Sequence, residues 1–258
     1  MFGSVIRRIT EDIVLSITFT TRIPLPCCWI RKDRTLAEAV WAIPLGGALI
    51  GALTGGLMFI TLKIGFDAAL SSVIAIIAMT LATGALHEDG LADFCDGIGG
   101  GHSIQQRLKI MQDSRIGVYG GLALILTFFL LASLIEQLWY ALGAWHFFIA
   151  IVAAKTISLS SSALIFMILK PARDVGQAIR FGRPGHLNLI LMFIWPMCTA
   201  ILILGIHAVA LICGAFVTTL AISLIAYTYL RGYTGDVLGA GIHLSFIGSL
   251  TALKVILT

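Results

Sequence analysis

Long stretches with no charged residue, or with a single lysine, dominate the pattern of the chain. Seven of them are about as long as the roughly 20 apolar residues that a helix needs to cross a bilayer. They lie near residues 39–62, 68–86, 116–135, 143–169, 187–206, 208–230 and 237–257. Little sequence remains between them for a soluble domain. The pattern predicts an all-α, polytopic integral membrane protein with about seven transmembrane helices in a single catalytic domain over residues 1–258.

The first 20 residues follow a different pattern. Apolar residues at positions 2, 6, 9, 13 and 17 recur at helical spacing, and charged residues at positions 7, 8, 11 and 12 fill the other side. Such a stripe is typical of an amphipathic helix that lies on the membrane surface. A simple lead-in to the first span fits the pattern equally well.

Composition agrees with a membrane protein. Of the 258 residues, 59% are hydrophobic and only 12% are charged, whereas about 25% of the residues in soluble domains are charged. The five cysteines have neither the spacing of a disulfide framework nor that of a zinc site, which fits reduced, structural thiols.

The charged residues are segregated between the two sides of the predicted membrane domain. With seven spans, fourteen of the 17 Lys and Arg residues fall on the side of the N-terminus, two fall opposite and Lys155 lies within a span. Since cytoplasmic loops hold the excess of Lys and Arg, we expect a cytoplasmic N-terminus. Eleven of the 13 acidic residues lie on the same side. This one-sided polar chemistry favours an enzyme at the cytoplasmic face over a transporter.

An acidic motif, "HEDGLADFCDG", follows the second span at residues 87–97. If the helix of that span continues past Leu86, Asp89, Asp93 and Asp96 share one helical face, and Glu88 points about 100° away from Asp89. Oxygen-rich clusters select hard cations, and Mg²⁺ takes one or two carboxylates plus substrate phosphates. We therefore predict a magnesium–phosphate site, with an ordinary acidic loop at a helix end as the structural alternative.

Glycines follow the acidic motif at once. We expect Gly97 and residues 99–101 to end the helix and to bring backbone N–H groups close to a phosphate.

Cationic partners for an anionic substrate come from the loops on the same side. The residues that we assign to this loop chemistry are Arg107, Asp113, Ser114, Arg115 and Arg173. Arginine forks suit phosphate oxygens. For Lys170, Arg180 and Arg183, a role as positive membrane anchors is an equal alternative.

Four further residues carry polar side chains in or near the candidate site. Asp236, at the start of the last span, is a fourth carboxylate for the metal or a cap of the helix N-terminus. Lys155 reaches a phosphate or bonds to neighbouring carbonyls. His87 is a candidate base or hydrogen-bond donor, and His243 fits an interior histidine with satisfied hydrogen bonds.

Several segments resemble one family along the whole chain. "FTTRIPLP" at 19–26, "HEDGLADFCDG" at 87–97, "RLKIMQDSRIGVYGGLAL" at 107–124, "ARDVGQA" at 172–178 and "TGDVLGA" at 234–240 are similar to the adenosylcobinamide-GDP ribazoletransferases. The acidic motif with the downstream "DSR" element is the most specific of these matches. Glu88 stands where that family often has an apolar residue, so we leave it out of the metal site.

The resemblance implies a Mg²⁺-dependent enzyme of the bacterial cytoplasmic membrane with its active site facing the cytoplasm. Its partners would be a corrinoid nucleotide, α-ribazole or its 5'-phosphate, and the lipid bilayer, with no nucleic acid and with a homo-oligomer left open. The enzyme would join the two substrates and release GMP. The metal ligands would be Asp89, Asp93, Asp96 and Asp236; His87, Asp89 and Asp93 would be catalytic; and Arg107, Asp113, Ser114, Arg115, Lys155 and Arg173 would bind substrate.

Two other functions fit parts of the pattern. One is a polytopic phosphotransferase of the CDP-alcohol type, whose usual signature places an arginine between spaced aspartates, an order absent here. The other is a divalent-cation transporter, which predicts polar residues at mid-membrane and on both sides.

Overall fold

The computed structural model describes residues 2–25, 35–173 and 184–258, with side chains from residue 5 onward. Within these residues the chain is helical apart from turns and one β-bridge between Pro171 and Tyr233. The helices are α1 (Phe2–Thr20), α2 (Leu36–Ala39), α3 (Ile43–Lys63), α4 (Ala68–Thr83), α5 (Leu86–Gly100), α6 (Ile104–Ile110), α7 (Val118–Ile168), α8 (His186–Leu204), α9 (Ile206–Leu230) and α10 (Gly235–Ile256). Arg180, Arg183 and residues 174–178 of the "ARDVGQA" segment lie outside the described residues.

Helix α7 is a helical hairpin. Its 51 residues include one with non-helical angles, Gly143, at φ 70° and ψ 168°, a conformation that favours glycine. Before this break, the Phe128 and His243 ring centroids lie 6.1 Å apart; after it, Lys155 Nζ lies 4.7 Å from the Phe246 ring centroid. A straight helix would separate Phe128 from Lys155 by about 40 Å. His243 and Phe246 are one turn apart, so the two halves of α7 fold back on each other.

The helices have the length and composition of membrane spans. Among the described residues, five helices qualify individually, and a sixth span results if α4 and α5 together count as one. The hairpin α7 supplies two lengths of about 37 Å each, against a hydrocarbon core of about 30 Å. The predicted all-α, polytopic membrane fold is confirmed, and the number of seven crossings stays a prediction.

The helix of the second predicted span does not continue into the acidic motif. Helix α4 ends at Thr83, and the next two residues, Gly84 and Ala85, have left-handed φ angles of 64° and 59°. Helix α5 therefore leaves α4 at 89°. The side chain of Arg22 packs against Gly84, where an added Cβ would lie 2.3 Å from its Nε. The expectation of one helix through Leu86 is wrong, because two left-handed residues turn the chain before the acids begin.

Helix α10 holds α5 against the bundle. It packs against α5, α7 and α9. Its contact with α9 is close, since a Cβ added to Gly214 would lie 2.1 Å from the carbonyl oxygen of Gly248. The acidic motif thus lies on the short helix α5, which packs against the central helix α10.

The N-terminal segment is helical, as predicted. Ile6 and Ile9 of α1 are exposed, whereas Glu11 and Asp12 are buried against the protein. The indole N–H of Trp41 donates to Asp12 at 2.8 Å. The apolar stripe therefore faces outward, and the location of α1 at a membrane surface stays a prediction.

Candidate active site

An open cavity of about 280 Å³ lies between α1, α3, α5, α7 and α10. Its polar lining includes His87 and Asp89 from α5, Arg173 from the segment after α7, and Thr234 and Asp236 at the start of α10. Four of the residues singled out from the sequence, His87, Asp89, Arg173 and Asp236, therefore line one cavity. They come from three separate parts of the chain.

Two glycines bring the carboxylates of Asp89 and Asp236 to the same cavity. A Cβ added to Gly90 would lie 3.0 Å from the carbonyl oxygen of Asp236, and one added to Gly239 would lie 3.3 Å from the Cα of Gly90. The backbones of α5 and α10 consequently touch beside the two acids. Any larger residue at Gly90 would push Asp89 and Asp236 apart.

Asp236 lies in the first turn of α10 without being its cap. The N-cap is Thr234, whose hydroxyl accepts a hydrogen bond from the Val237 N–H at 3.3 Å and donates to Asp236 at 3.1 Å. The alternative in which Asp236 caps the helix is therefore wrong. Thr234 accepts a hydrogen bond at the N-terminus of α10 and donates to only one oxygen of Asp236.

Arg173 reaches the cavity because its segment is tied to the start of α10. The Tyr233 N–H donates to the Lys170 carbonyl and the Ala172 N–H donates to the Tyr233 carbonyl, both at 2.9 Å. The guanidinium of Arg173 donates to the Leu108 carbonyl and interacts electrostatically with Asp236. The two segments thus place a cation beside a carboxylate.

Asp93 and Asp96 lie farther along α5 and are not among the residues that line the cavity. Asp93 is half-buried and interacts electrostatically with Asp236, Asp89 and Asp96, so the four acids form one negative group. None of the described His, Cys, Asp and Glu side chains form a group of three that could hold a metal ion together. A metal here would need further ligands from a substrate.

Asp96 has a structural partner that the sequence did not indicate. Its two oxygens accept hydrogen bonds from the backbone N–H groups of Gly117, the N-cap of α7, at 2.7 Å and of Gly120, in the first turn of α7, at 2.9 Å. These N–H groups have no partner within their own helix. Asp96 therefore caps α7 from α5, and its role as a metal ligand stays a prediction.

The glycines after the acidic motif serve packing. Helix α5 continues through Gly97 and ends at Gly100 with Gly101 as its C-cap, so residues 99–101 end the helix as predicted, whereas Gly97 does not. A Cβ on Gly97 would lie 2.4 Å from the Met111 side chain, and one on Gly99 would lie 2.6 Å from the Tyr119 ring. Because these side chains occupy the space, the glycines allow α5 to be covered closely. Their contact with a phosphate stays a prediction.

A second polar group, which we call the buried charge cluster, consists of His87, Glu88, Lys155 and His243. Glu88 is 3% exposed, and its Oε1 lies 3.4 Å from Nδ1 of His243. Lys155 is fully buried and interacts electrostatically with Glu88. Among the described residues, both Glu88 oxygens, Lys155 Nζ and both His243 nitrogens lack a hydrogen-bond partner. The interior position expected for His243 is confirmed, and its polar partner is Glu88.

Lys155 is not among the residues that line the cavity, although the sequence suggested it as a phosphate ligand. It is turned into the bundle, where Glu88 compensates its charge. Sequence reasoning missed this partnership because the two residues are far apart in the chain. The signal that could have found it is that Lys155 is an ionisable residue inside a predicted span, where it needs a compensating charge from another helix.

The remaining predicted binding residues also lie away from the cavity. The Arg115 guanidinium donates to both oxygens of Asp113, at 3.0 Å and 2.7 Å, and Ser114 is exposed. These hydrogen bonds lower the pKa of Asp113 to about 2. The guanidinium of Arg107 lies 4.9 Å from the Tyr229 ring centroid. Substrate contacts by these residues stay predictions.

Comparison with known proteins identifies relatives along almost the whole chain. The profile of the cobalamin-5-phosphate synthase family matches residues 12–254. A relative from Bradyrhizobium diazoefficiens, named adenosylcobinamide-GDP ribazoletransferase, is 35% identical over 243 residues, which cover 91% of this chain and 90% of the relative. Proteins of the same name from Xanthobacter autotrophicus (38% identical, covering 90% and 91%) and Shigella flexneri (34% identical, covering 92% and 96%) also match. No solved structure matches the chain.

Proposed function

The chain belongs to the cobalamin-5-phosphate synthase family, and we propose that it joins adenosylcobinamide-GDP to α-ribazole, or to α-ribazole 5'-phosphate, with release of GMP. This reaction is the nucleotide-loop assembly step of cobalamin biosynthesis. The other candidates, a CDP-alcohol phosphotransferase and a cation transporter, have no comparable support.

The single observation that carries the proposal is the shared cavity of Asp89, Asp236, Arg173 and His87. Phosphoryl transfer needs charge stabilisation around a pyrophosphate and a group that accepts a proton from the attacking hydroxyl. Two carboxylates, one guanidinium and one imidazole supply both kinds of group. They also belong to the motifs on which the resemblance to the family depends.

The donor set fits Mg²⁺. This ion is usually bound through one or two carboxylates together with substrate phosphates, and the cavity offers Asp89 and Asp236. We propose that these two residues hold the ion, with Asp93 adding negative potential beside them. The ion, when bound, would neutralise charge on the pyrophosphate and on the departing GMP.

The side chains of the cavity have separate roles in the proposed reaction. A ribose hydroxyl of the acceptor attacks the phosphorus that carries the cobinamide, a new P–O bond forms, and the P–O bond to GMP breaks. Arg173 would bind phosphate oxygens. Asp89, which is exposed to the cavity, or His87 beside it would accept the hydroxyl proton.

We further propose that the protein lies in a bacterial inner membrane and that the cavity opens to the cytoplasm. The segments that build it, residues 86–100, 170–173 and 231–236, all fall on the side with the excess of Lys and Arg. That segregation is the usual sign of the cytoplasmic side.

The proposal is tested with purified protein in nanodiscs that receives adenosylcobinamide-GDP, α-ribazole and Mg²⁺. We expect GMP release, measured by chromatography, and a fall of about 100- to 1,000-fold for Asp89→Asn, because a charged group at the reacting phosphates is lost. Removal of the metal with EDTA should stop the reaction, and added Mg²⁺ should restore it.

The matched control is Asp67→Asn. Asp67 caps α4 through the Leu70 N–H at 2.7 Å, and asparagine caps a helix about as well as aspartate. This variant makes the same chemical change away from the cavity and should keep wild-type activity. Absence of GMP release from the wild-type protein would refute the proposed function.

A further inference from the structure

The volume of the cavity indicates which of the two substrates of the proposed reaction fits inside it. Its volume of about 280 Å³ is at the small end of ligand pockets, which commonly measure about 300–1,000 Å³. The ribazole acceptor is a nucleoside with one flat, two-ring base. The corrinoid donor carries a macrocycle, an adenosyl group and a nucleotide and is several times larger. The cavity can enclose the acceptor but not the donor.

The lining also changes character with depth. Along α10 it passes from Asp236 through Leu238 to Ile242, a distance of about 9 Å at the helical rise per residue. Asp236 belongs to the carboxylate pair, whereas Ile242 belongs to a buried apolar cluster that includes Ile43. The lining is therefore polar at the start of α10 and mainly apolar about 1.7 turns farther along that helix.

Other helices also contribute aromatic rings to the lining. Phe19 of α1 and Phe166 of α7 line the cavity, and the Phe166 ring meets that of Tyr233 edge to face, with centroids 5.2 Å apart. Aromatic and aliphatic walls favour a planar, apolar base, since such surfaces gain by leaving water.

We infer that this cavity is the binding pocket of the acceptor: the benzimidazole base lies between the apolar walls, and the ribose points to Asp89 and Asp236. The corrinoid then stays outside, with its pyrophosphate at the polar end. This inference rests on the proposed function. It makes Ile242 and Leu238 determinants of which base the enzyme accepts.

The inference is tested with substitutions that fill the pocket. Ile242→Phe adds a ring to the apolar end, and Leu238→Phe adds one nearer to Asp236. We expect each to raise the KM for α-ribazole by about 10- to 200-fold, the range for a mismatch in an apolar pocket, with the KM for adenosylcobinamide-GDP changed less than twofold. Ile242→Ala should lower the KM for a riboside with a bulkier, three-ring base.

The matched control is Leu202→Phe, which makes the same enlargement at a residue of α8 that is 84% exposed and should leave both KM values unchanged. Equilibrium titration of each variant with α-ribazole alone gives a second reading that needs no turnover, and the dissociation constant should rise in parallel with the KM.

The outcomes separate the two proposals. A wild-type protein that binds α-ribazole without releasing GMP refutes the proposed reaction, while weaker binding in Ile242→Phe still supports the pocket. An active wild type refutes the pocket if both filling variants keep the KM for α-ribazole, or if they raise the KM for the corrinoid equally.

Discussion

Glu88 and Asp89 follow each other in the sequence, yet they belong to different compartments of the protein. Asp89 is exposed to the open cavity, which it shares with Asp236 and Arg173. Glu88 is 3% exposed and faces His243, with Lys155 as its cationic neighbour. Their directions differ by about 100°, as expected for successive residues of a helix. One acid remains available to a ligand, and the other is sealed inside the bundle.

The difference shows that one short helix can place a residue for the reaction on one face and a residue that contributes to stability on another. Carboxylates on an open cavity keep their hydration and lose little when no ligand is present. A carboxylate inside the bundle is costly unless an opposite charge compensates it. We therefore expect changes to the cavity acids to affect activity without stability, and changes to the buried charge cluster to affect both.

The largest effect on stability should come from Lys155→Met. Methionine keeps the length and apolar contacts of the side chain, but Glu88 is left as a buried charge without its cation. Lys155 Nζ has no hydrogen-bond partner among the described residues, so its interaction with Glu88 is purely electrostatic, and its loss should cost less than the ~3–5 kcal/mol of a directly bonded buried ion pair. We expect a markedly lower melting temperature in detergent and a smaller monodisperse fraction on size exclusion, whereas Asp89→Asn should melt like the wild type.

A double variant measures the energetic coupling between Glu88 and Lys155. Glu88→Gln combined with Lys155→Met removes both charges, so it should recover much of the stability that either single change loses. If the two losses simply add, Glu88 and Lys155 do not compensate each other, and the distinction between the two compartments fails at this point.

A smaller effect, directed at the cavity, is expected from Gly90→Ala. The new Cβ would lie 3.0 Å from the Asp236 carbonyl oxygen, and such overpacking costs about 1–3 kcal/mol. Because it separates Asp89 from Asp236, GMP release should fall by a larger factor than the folded fraction does. The folded fraction comes from size exclusion, and activity is expressed per folded protein.

Gly56→Ala is the control for this change. A Cβ at Gly56 meets nothing within 4 Å, and alanine favours a helix by about 1 kcal/mol over glycine. The variant should melt at or above the wild-type temperature with normal activity. Equal activity per folded protein in Gly90→Ala and wild type would contradict the importance of the close contact between α5 and α10.

A loss of about 1 kcal/mol is expected from Asp96→Ala, the usual cost of removing a helix cap. Asp96→Asn keeps one acceptor oxygen and should lose less. These variants also test the predicted metal role: if Asp96 only caps α7, the Mg²⁺ concentration for half-maximal activity stays the same in Asp96→Asn. A 10- to 100-fold rise, the range for disturbed metal sites, would make Asp96 part of the site.

Much of the fold followed from the sequence because membrane spans depend on composition. The apolar stretches predicted the helices, and the one-face spacing within the acidic motif holds inside α5. The bend before α5 was missed because it depends on φ at Ala85, a residue type that is normally compatible with a helix. Gly84 is a local signal for the end of α4, because glycine favours the left-handed conformation at a helix C-terminus, but nothing local indicates the second left-handed residue.

The site was predictable where its residues share a motif and less so where tertiary contacts decide. Asp89 and Asp236 lie far apart in the chain but meet because Gly90 and Gly239 allow two backbones to touch. Asp96 was assigned by its spacing, yet its oxygens meet N–H groups of another helix. Spacing states which side chains share a face, and only the packed structure states what that face meets.

The smallest effect on stability should come from the exposed ion pair of Asp113 with Arg115. Hydrogen bonds from Arg115 lower the pKa of Asp113 from 3.8 to about 2. The charged carboxylate is the stabilised form, so the contribution is complete above about pH 4 and is lost as the pH falls through the lowered pKa. Since exposed pairs contribute little, Arg115→Gln should lower the melting temperature only slightly.

The pH dependence distinguishes this pair from the cavity acids. The difference in melting temperature between wild type and Arg115→Gln should be constant from pH 5 to pH 8 and should shrink as the pH approaches 3, where Asp113 begins to take up its proton. It should also shrink with added salt, because exposed charges are screened. A difference that changes between pH 6 and pH 8 would mean that Arg115 has a partner other than Asp113, such as a group of the cavity.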